Sequence, residues 1–225
     1  MQKGIKLTKK DMLQIFLKTL IITKMFLLPV NSKRRIKTDI EKNLNKELVN
    51  YIKQNIFPIY RTFDKGHDLE HISQVIKRAF KISKNFNIDM NILYVVAVYH
   101  DIGVKISRKN HAMYSGEIAR SDNVLKGFFN VEEIGLIAQA VEDHSTSKGI
   151  EPRSIYGKIV CDADKDDNIE TALLRAYEFT KSYFSDFTEE ECFENIYTQL
   201  CSKYGKDGKV RFWIENFDRS FFIQK

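Results

Sequence analysis

Residues 92–103 read Ile92-Leu93-Tyr94-Val95-Val96-Ala97-Val98-Tyr99-His100-Asp101-Ile102-Gly103. An almost continuously apolar run closed by an imidazole and a carboxylate admits two readings, a buried strand or a central helix with no solvent face. The flanks favour the helix, because apolar residues on both sides recur at helical spacing. Upstream, Ile72, Val75, Ile76, Ala79 and Phe80 follow the i, i+3, i+4, i+7, i+8 pattern of a core-facing helix that His71 opens. Before them, Ile40, Leu44, Leu48 and Ile52 repeat on one face with Val49 and Ile56 beside them, and Pro58 is expected to end that helix. Downstream, His111, Ser115 and Ile118 share a face, as do Ile134, Ile137, Ala138 and Val141, with His144 one turn beyond. Pro152 suits a helix start, and the column from Tyr156 to Val160 leads one turn later to Asp164. Leu173, Leu174, Ala176, Tyr177 and residues 192–200 look like further helices covering the core. The expected fold class is all-α, a single helical bundle with an N-terminal helical extension.

The totals agree with that reading. Among 225 residues, 43% are apolar and only 3 are proline and 10 glycine, so most of the chain should fold and the punctuation typical of many short strands is scarce. Residues 12–30 are apolar but interrupted by Lys18 and Lys24, short of the about 20 apolar residues of a spanning helix. Lys3, Lys6, Lys9 and Lys10 precede this run as in a signal peptide, yet no small-residue cleavage site follows. The expectation is an amphipathic helix packed on the body or at an interface, with membrane association disfavoured. After Pro29, the run Asn31-Ser32-Lys33-Arg34-Arg35 reads as a hinge, which gives an extension of residues 1–35 and one domain of residues 36–225.

The net charge of +6 comes from 36 basic and 30 acidic residues, a mixed surface without a basic helix face or interleaved aromatics, so no nucleic-acid partner is expected. Cys161, Cys192 and Cys201 form no C-x-x-C pair, and an odd, widely spaced set suits reduced packing thiols and a cytoplasmic protein. A homo-oligomer stays open.

All 5 histidines fall between His67 and His144. A single histidine on an apolar face is usually a hydrogen-bonded core residue, so the argument rests on their combination. The most hydrophobic helix of the chain carries His100 and Asp101 at its end. If they lie inside, burying an unpaired carboxylate costs several kcal/mol, which a divalent cation would offset. Imidazole together with carboxylate suits manganese, iron, cobalt, nickel or zinc, while magnesium, which prefers oxygen and water, stays possible. Manganese is the first choice.

The ordered series His71, His100-Asp101, Asp164 resembles the H…HD…D signature of HD-domain phosphohydrolases. The segments that carry the likeness are Gly66-His67-Asp68-Leu69-Glu70-His71, Tyr99-His100-Asp101-Ile102-Gly103 and Asp162-Ala163-Asp164-Lys165, within residues 60–180. The resemblance implies His71, His100, Asp101 and Asp164 as metal ligands. Asp164 is preferred over Asp162 because the family pattern there is A-D-[RK]; Asp162 is the surface or supporting alternative, and His67 is expected behind the ligands. His111-Ala112-Met113-Tyr114-Ser115-Gly116 is similar to a family H-x-x-x-[SG]-[AG] segment, and a later family histidine is matched by His144. These two are candidates to bind phosphate, protonate a leaving oxygen or ligate a second metal, with packing roles as the alternative.

Asp143-His144-Ser145-Thr146-Ser147-Lys148 followed by Pro152-Arg153-Ser154 resembles a bacterial HD-protein loop, and Lys148, Arg153 and Lys165 are the phosphate-contact candidates. The sequence departs from the family where Asp166 stands at a position often apolar. A metal at such a site lowers the pKa of its bound water to around 7, and Asp101 is placed to orient the attacking water. The implied activity is hydrolysis of a phosphate ester or anhydride of a nucleotide or other small phosphorylated metabolite. A catalytically inactive nucleotide- or metal-binding module is the alternative.

Overall fold

The computed structural model describes residues 5–25, 43–63, 67–145, 149–165, 169–214 and 221–223. In chain order its elements are strand β1 (Ile5–Leu7), α1 (Lys9–Met25), α2 (Lys46–Tyr51), a π-helical turn (Ile52–Ile56), α3 (Phe57–Tyr60), α4 (Leu69–Ile82), α5 (Met90–Tyr99), α6 (His111–Ser121), α7 (Val131–Glu142), α8 (Ile155–Ala163), α9 (Ile169–Tyr183), α10 (Glu189–Tyr204) and strand β2 (Phe221–Ile223). The fold is all-α, and the two short strands pair in parallel, Ile5 opposite Phe221 and Leu7 opposite Ile223. Contacts divide the chain into two compact units, one of residues 36–165 and 211–215, the other of residues 1–35, 166–210 and 216–225. The expected hinge at residues 31–35 lies outside the described residues.

The 36–165 unit is built around α5. Residues 92–99 are all buried, and α5 packs against α4, α7 and α8, so the continuous apolar run is a helix covered on every side. Asp89 caps it by accepting the amides of Asn91 and Ile92. Burying each Val, Leu or Ile is favourable by about 1.5–3 kcal/mol, so the run as a whole outweighs the several kcal/mol needed to draw the charged end of α5 inside. The apolar stripe of α4 (Ile72, Val75, Ile76, Ala79) is buried as its spacing predicts. A capping box between Asn130 and Glu133 starts α7.

Two boundaries differ from the sequence reading. Pro58 does not end its helix: the π-helical turn lets the Phe57 amide reach the Ile52 carbonyl, and Pro58 falls in the first turn after it, where a missing N–H costs nothing. Pro152 does not start α8, because Ser154 caps it by accepting the Gly157 amide at 3.1 Å.

In the other unit, Met12, Phe16 and Leu20 form the buried stripe of α1 and join a cluster with Leu173, Phe193, Ile196 and Leu200. Phe16 stands edge-on to Tyr177 at 5.7 Å and tilted against Phe193 at 5.4 Å. Cys161, Cys192 and Cys201 are free and buried. Among the described residues no helix is long and apolar enough to cross a membrane.

Candidate metal centre

Four chain segments deliver the polar side chains that meet beside α5. His71 is the third residue of α4, and the cap is Asp68, whose carboxylate accepts the His71 amide at 3.0 Å. His100 ends α5 and is fully buried; Asp101 follows it, 3% exposed, at the start of a short 3₁₀ turn (Ile102–Lys105). Asp164 closes α8, its amide bonded to the Val160 carbonyl at 2.9 Å, and its side chain is 30% exposed.

His71 Nε2 lies 3.4 Å from Asp101 Oδ2 and 3.1 Å from Asp164 Oδ1; His100 Nε2 lies 3.2 Å and 3.7 Å from the same oxygens. Donor atoms held about 2.1 Å from one cation at right or tetrahedral angles stand about 3.0–3.4 Å apart, a spacing that these distances match except the longer one from His100 to Asp164. His100 Nδ1 lies 2.8 Å from the Ala97 carbonyl, which can only accept, so Nδ1 carries the proton and the neutral ring turns the Nε2 lone pair inward. That buried Nε2 makes no hydrogen bond of acceptable geometry and faces carboxylate oxygens. A lone pair against carboxylates is repulsive unless a cation or a proton lies between them. The donor set fits a divalent metal.

A second set shares Asp101. His111 Nε2 and His144 Nε2 are each 3.4 Å from Asp101 Oδ1 and 3.1 Å from one another. Both rings repeat the His100 arrangement, with Nδ1 on a backbone carbonyl three residues back, Arg108 at 2.8 Å and Val141 at 2.6 Å. Asp101 thus presents Oδ2 to one pair of imidazoles and Oδ1 to the other, and both sets have the spacing to hold an ion.

Charge follows the same geometry. Burial alone would lower the His100 pKa, but Asp101 and Asp164 outweigh it and push it up to about 10. Burial works to raise Asp101 and Asp164, and the imidazoles hold both well below the usual carboxylate range. His111 is lowered by burial and by His144.

The packing behind the second set is tight. Gly103 donates its amide to Ser115 Oγ at 2.8 Å, and a Cβ there would collide with the His111 carbonyl oxygen and the Ser115 amide. This close approach seats the 3₁₀ turn on the start of α6 and so brings His111 to Asp101.

An HD domain family profile matches residues 68–169, a span that holds both ligand sets. An uncharacterized protein of Clostridium beijerinckii is 31% identical over 109 residues, which are 45% of this chain and 68% of that protein. The chain belongs to the HD-domain superfamily. A crystal structure of a predicted HD superfamily hydrolase from an uncultured Thermotogales bacterium is also similar, with a TM-score of 0.45 and 22% identity over 69% of this chain and 86% of that one.

Within the HD domain, the structure brings together His71, His100, Asp101, His111, His144 and Asp164. The His67 ring stands 6.3 Å from that of His71 and 6.4 Å from that of His111, partly exposed beside both sets. Three of the expected residues have protein partners of their own. Asp162 is not at the surface: it is fully buried and accepts the Trp213 and Ile214 amides. Lys165 is not placed for a phosphate, because its buried ammonium lies 2.6 Å from Asp162, bonds the Arg211 carbonyl and sits over the Phe212 ring. Arg153 is held by Asp143 and Glu142, which bracket its guanidinium at 2.8 Å and 3.1 Å, so it braces the end of α7 next to His144.

Lys148 lies outside the described residues. Sequence reading missed Arg78, whose Nε donates to the Ala163 carbonyl beside Asp164, and Tyr60, whose buried hydroxyl donates to the Val98 carbonyl near the end of α5. Their only local signal was a polar group on an otherwise apolar helix face.

Proposed function

We propose that this HD domain is a divalent-metal-dependent phosphohydrolase that cleaves an ester or anhydride of a small phosphorylated metabolite, with a nucleotide as the first substrate class to test and manganese as the first metal. The observation that carries the reading is the meeting of His71, His100, Asp101 and Asp164, with the Nδ1 of His100 tied back so that its Nε2 faces carboxylates. A divalent cation held there would lower the pKa of a bound water and withdraw charge from a phosphoryl oxygen.

The protein's own groups have distinct tasks in this reading. Buried Asp101 holds its negative charge between the two imidazole pairs, so a part in accepting a proton would compete with its part as a ligand. His111, whose side chain is 21% exposed against 1% for His144, is the member of the second set that can reach substrate. It would either hold a second cation with His144 or give a proton to the leaving oxygen. Since Lys165 and Arg153 are engaged by carboxylates, neutralising the phosphate would fall to the ligand sets more than to these two side chains.

The test is elemental analysis of protein purified without chelator, followed by a phosphate-release screen over nucleotides and sugar phosphates with Mn²⁺. Asp101→Ala is expected to abolish release while circular dichroism shows the fold retained. Release that persists in this variant rejects the site; nucleotide binding with no release from the parent chain would leave an inactive binding module.

A further inference from the structure

The end of α8 brings two aspartates with different fates, Asp162 in its last turn and Asp164 just past it. Asp164 faces the ligand set, whereas Asp162 is completely buried and turned to residues 211–214. Its carboxylate accepts the Trp213 amide at 2.9 Å and the Ile214 amide at 2.8 Å, and takes the Lys165 ammonium at 2.6 Å. Lys165 then closes the arrangement by donating to the Arg211 carbonyl and resting over Phe212. Of the chain beyond Lys165, only residues 211–215 group with this unit, so they form a strap tied to the end of one helix.

A buried carboxylate is costly unless several donors meet it, and packing a helix end needs none. Two residues further along the same turn stands the ligand Asp164. Asp164 is the most exposed of the four donors of its set, and it stands past the last residue of α8, where the chain leaves the helix. Its position therefore depends on how firmly that turn is held. One hold is Arg78, whose Nε bonds the Ala163 carbonyl from α4; the other is the strap on Asp162.

We propose that residues 211–214, docked on Asp162, set the position of Asp164, which makes Asp162 and the strap positioning elements of the metal centre. The inference rests on the metal reading above. Groups that orient a ligand from behind typically contribute about 10–100-fold in metal affinity, and this strap acts on one ligand of four.

The test uses the full chain, with Mn²⁺ binding followed by electron paramagnetic resonance and the visible absorption of Co²⁺ as a report on ligand geometry. Asp162→Ala removes the dock. Ile214→Pro removes one donated amide without touching the ligands or Asp162. Both are expected to weaken Mn²⁺ binding about tenfold or more and to alter the Co²⁺ spectrum, a larger change than any in the melting temperature of the metal-free protein. The double variant Asp162→Asn with Lys165→Met keeps an oxygen for the two amides and carries no charge, so it should return affinity to within about threefold of the parent.

Should Asp162→Ala fail to fold, Ile214→Pro decides. Parent-like affinity and spectrum in a folded Ile214→Pro or Asp162→Ala protein overturns the inference and leaves the metal site standing. A parent chain that binds neither Mn²⁺ nor Co²⁺ overturns both together.

Discussion

His100 joins two opposed demands in one side chain. Burial favours the neutral ring, while Asp101 and Asp164 favour a cation at Nε2, and the balance in the metal-free protein is a pKa raised to about 10. The raised pKa favours a proton in the place a metal would take, so metal entry is expected to displace it. Titrating Mn²⁺ at pH 8 in buffers of different ionisation enthalpy is expected to show release of about one proton per ion, with affinity rising with pH toward 10. For the metal-free protein, a folded pKa above the unfolded value near 6.5 means that this group's stabilisation is complete below about 6.5 and is lost as pH rises through about 10. The two aspartates have the reverse sign, since their stabilisation is present above the ordinary carboxylate value and lost as pH falls below it. Melting curves of chelator-treated protein across this range check both signs. The His-Asp pair itself was legible in the sequence, because a charge at the end of an unbroken apolar run stands out. The diversion of Lys165 was not, since its partner Arg211 is 46 residues away.

At the scale of elements, each candidate ligand sits at a helix end or in a turn beside one, where local geometry is set by caps. Asp68 caps the start of α4 by accepting the His71 amide, which fixes the backbone of that ligand. The close approach of the 3₁₀ turn to α6 had no such signal, as Gly103 gains its meaning only from the Ser115 and His111 backbone across the gap. Gly103→Ala is expected to push the turn off α6 and destabilise the protein by about 1–3 kcal/mol, the usual range for overpacking. The His111 and His144 set should be disturbed more than the His71 and His100 set, which do not contact the turn through this glycine. A thermal melt combined with histidine NMR shifts on Co²⁺ addition separates the two. The π-helical turn before Pro58 has the same character, because a proline read alone signals a stop, and a widened turn in front of it was not encoded in any local pattern.

For the molecule as a whole, both ligand sets fall in the unit of residues 36–165 and 211–215, while α1 belongs to the other unit. Phe16 lies in the cluster of α1, α9 and α10, and Phe16→Ala is expected to cost that unit about 3–5 kcal/mol through the cavity it leaves. Metal stoichiometry should be unchanged at a temperature where the protein remains folded. Loss of bound metal in that variant would show that the site depends on this cluster. An amphipathic helix was expected here because Lys18 and Lys24 interrupt the apolar run, whereas the partners of α1, Leu173 and Phe193 among them, were not visible.

Sequence alone determined the helical class and the central apolar helix with His100 and Asp101 at its end, because hydrophobic spacing and the chemistry of a charge inside an apolar run are local properties; His71 and Asp164 were candidates through the resemblance to the HD pattern. The tertiary structure decided which atoms face one another. It divided the two oxygens of Asp101 between two imidazole pairs, turned Asp162 and Lys165 to a segment near the C-terminus, and gave Arg153 to two carboxylates. Those choices depend on contacts between residues tens of positions apart, where the direction of a side chain is fixed by packing and by the need to satisfy each buried charge.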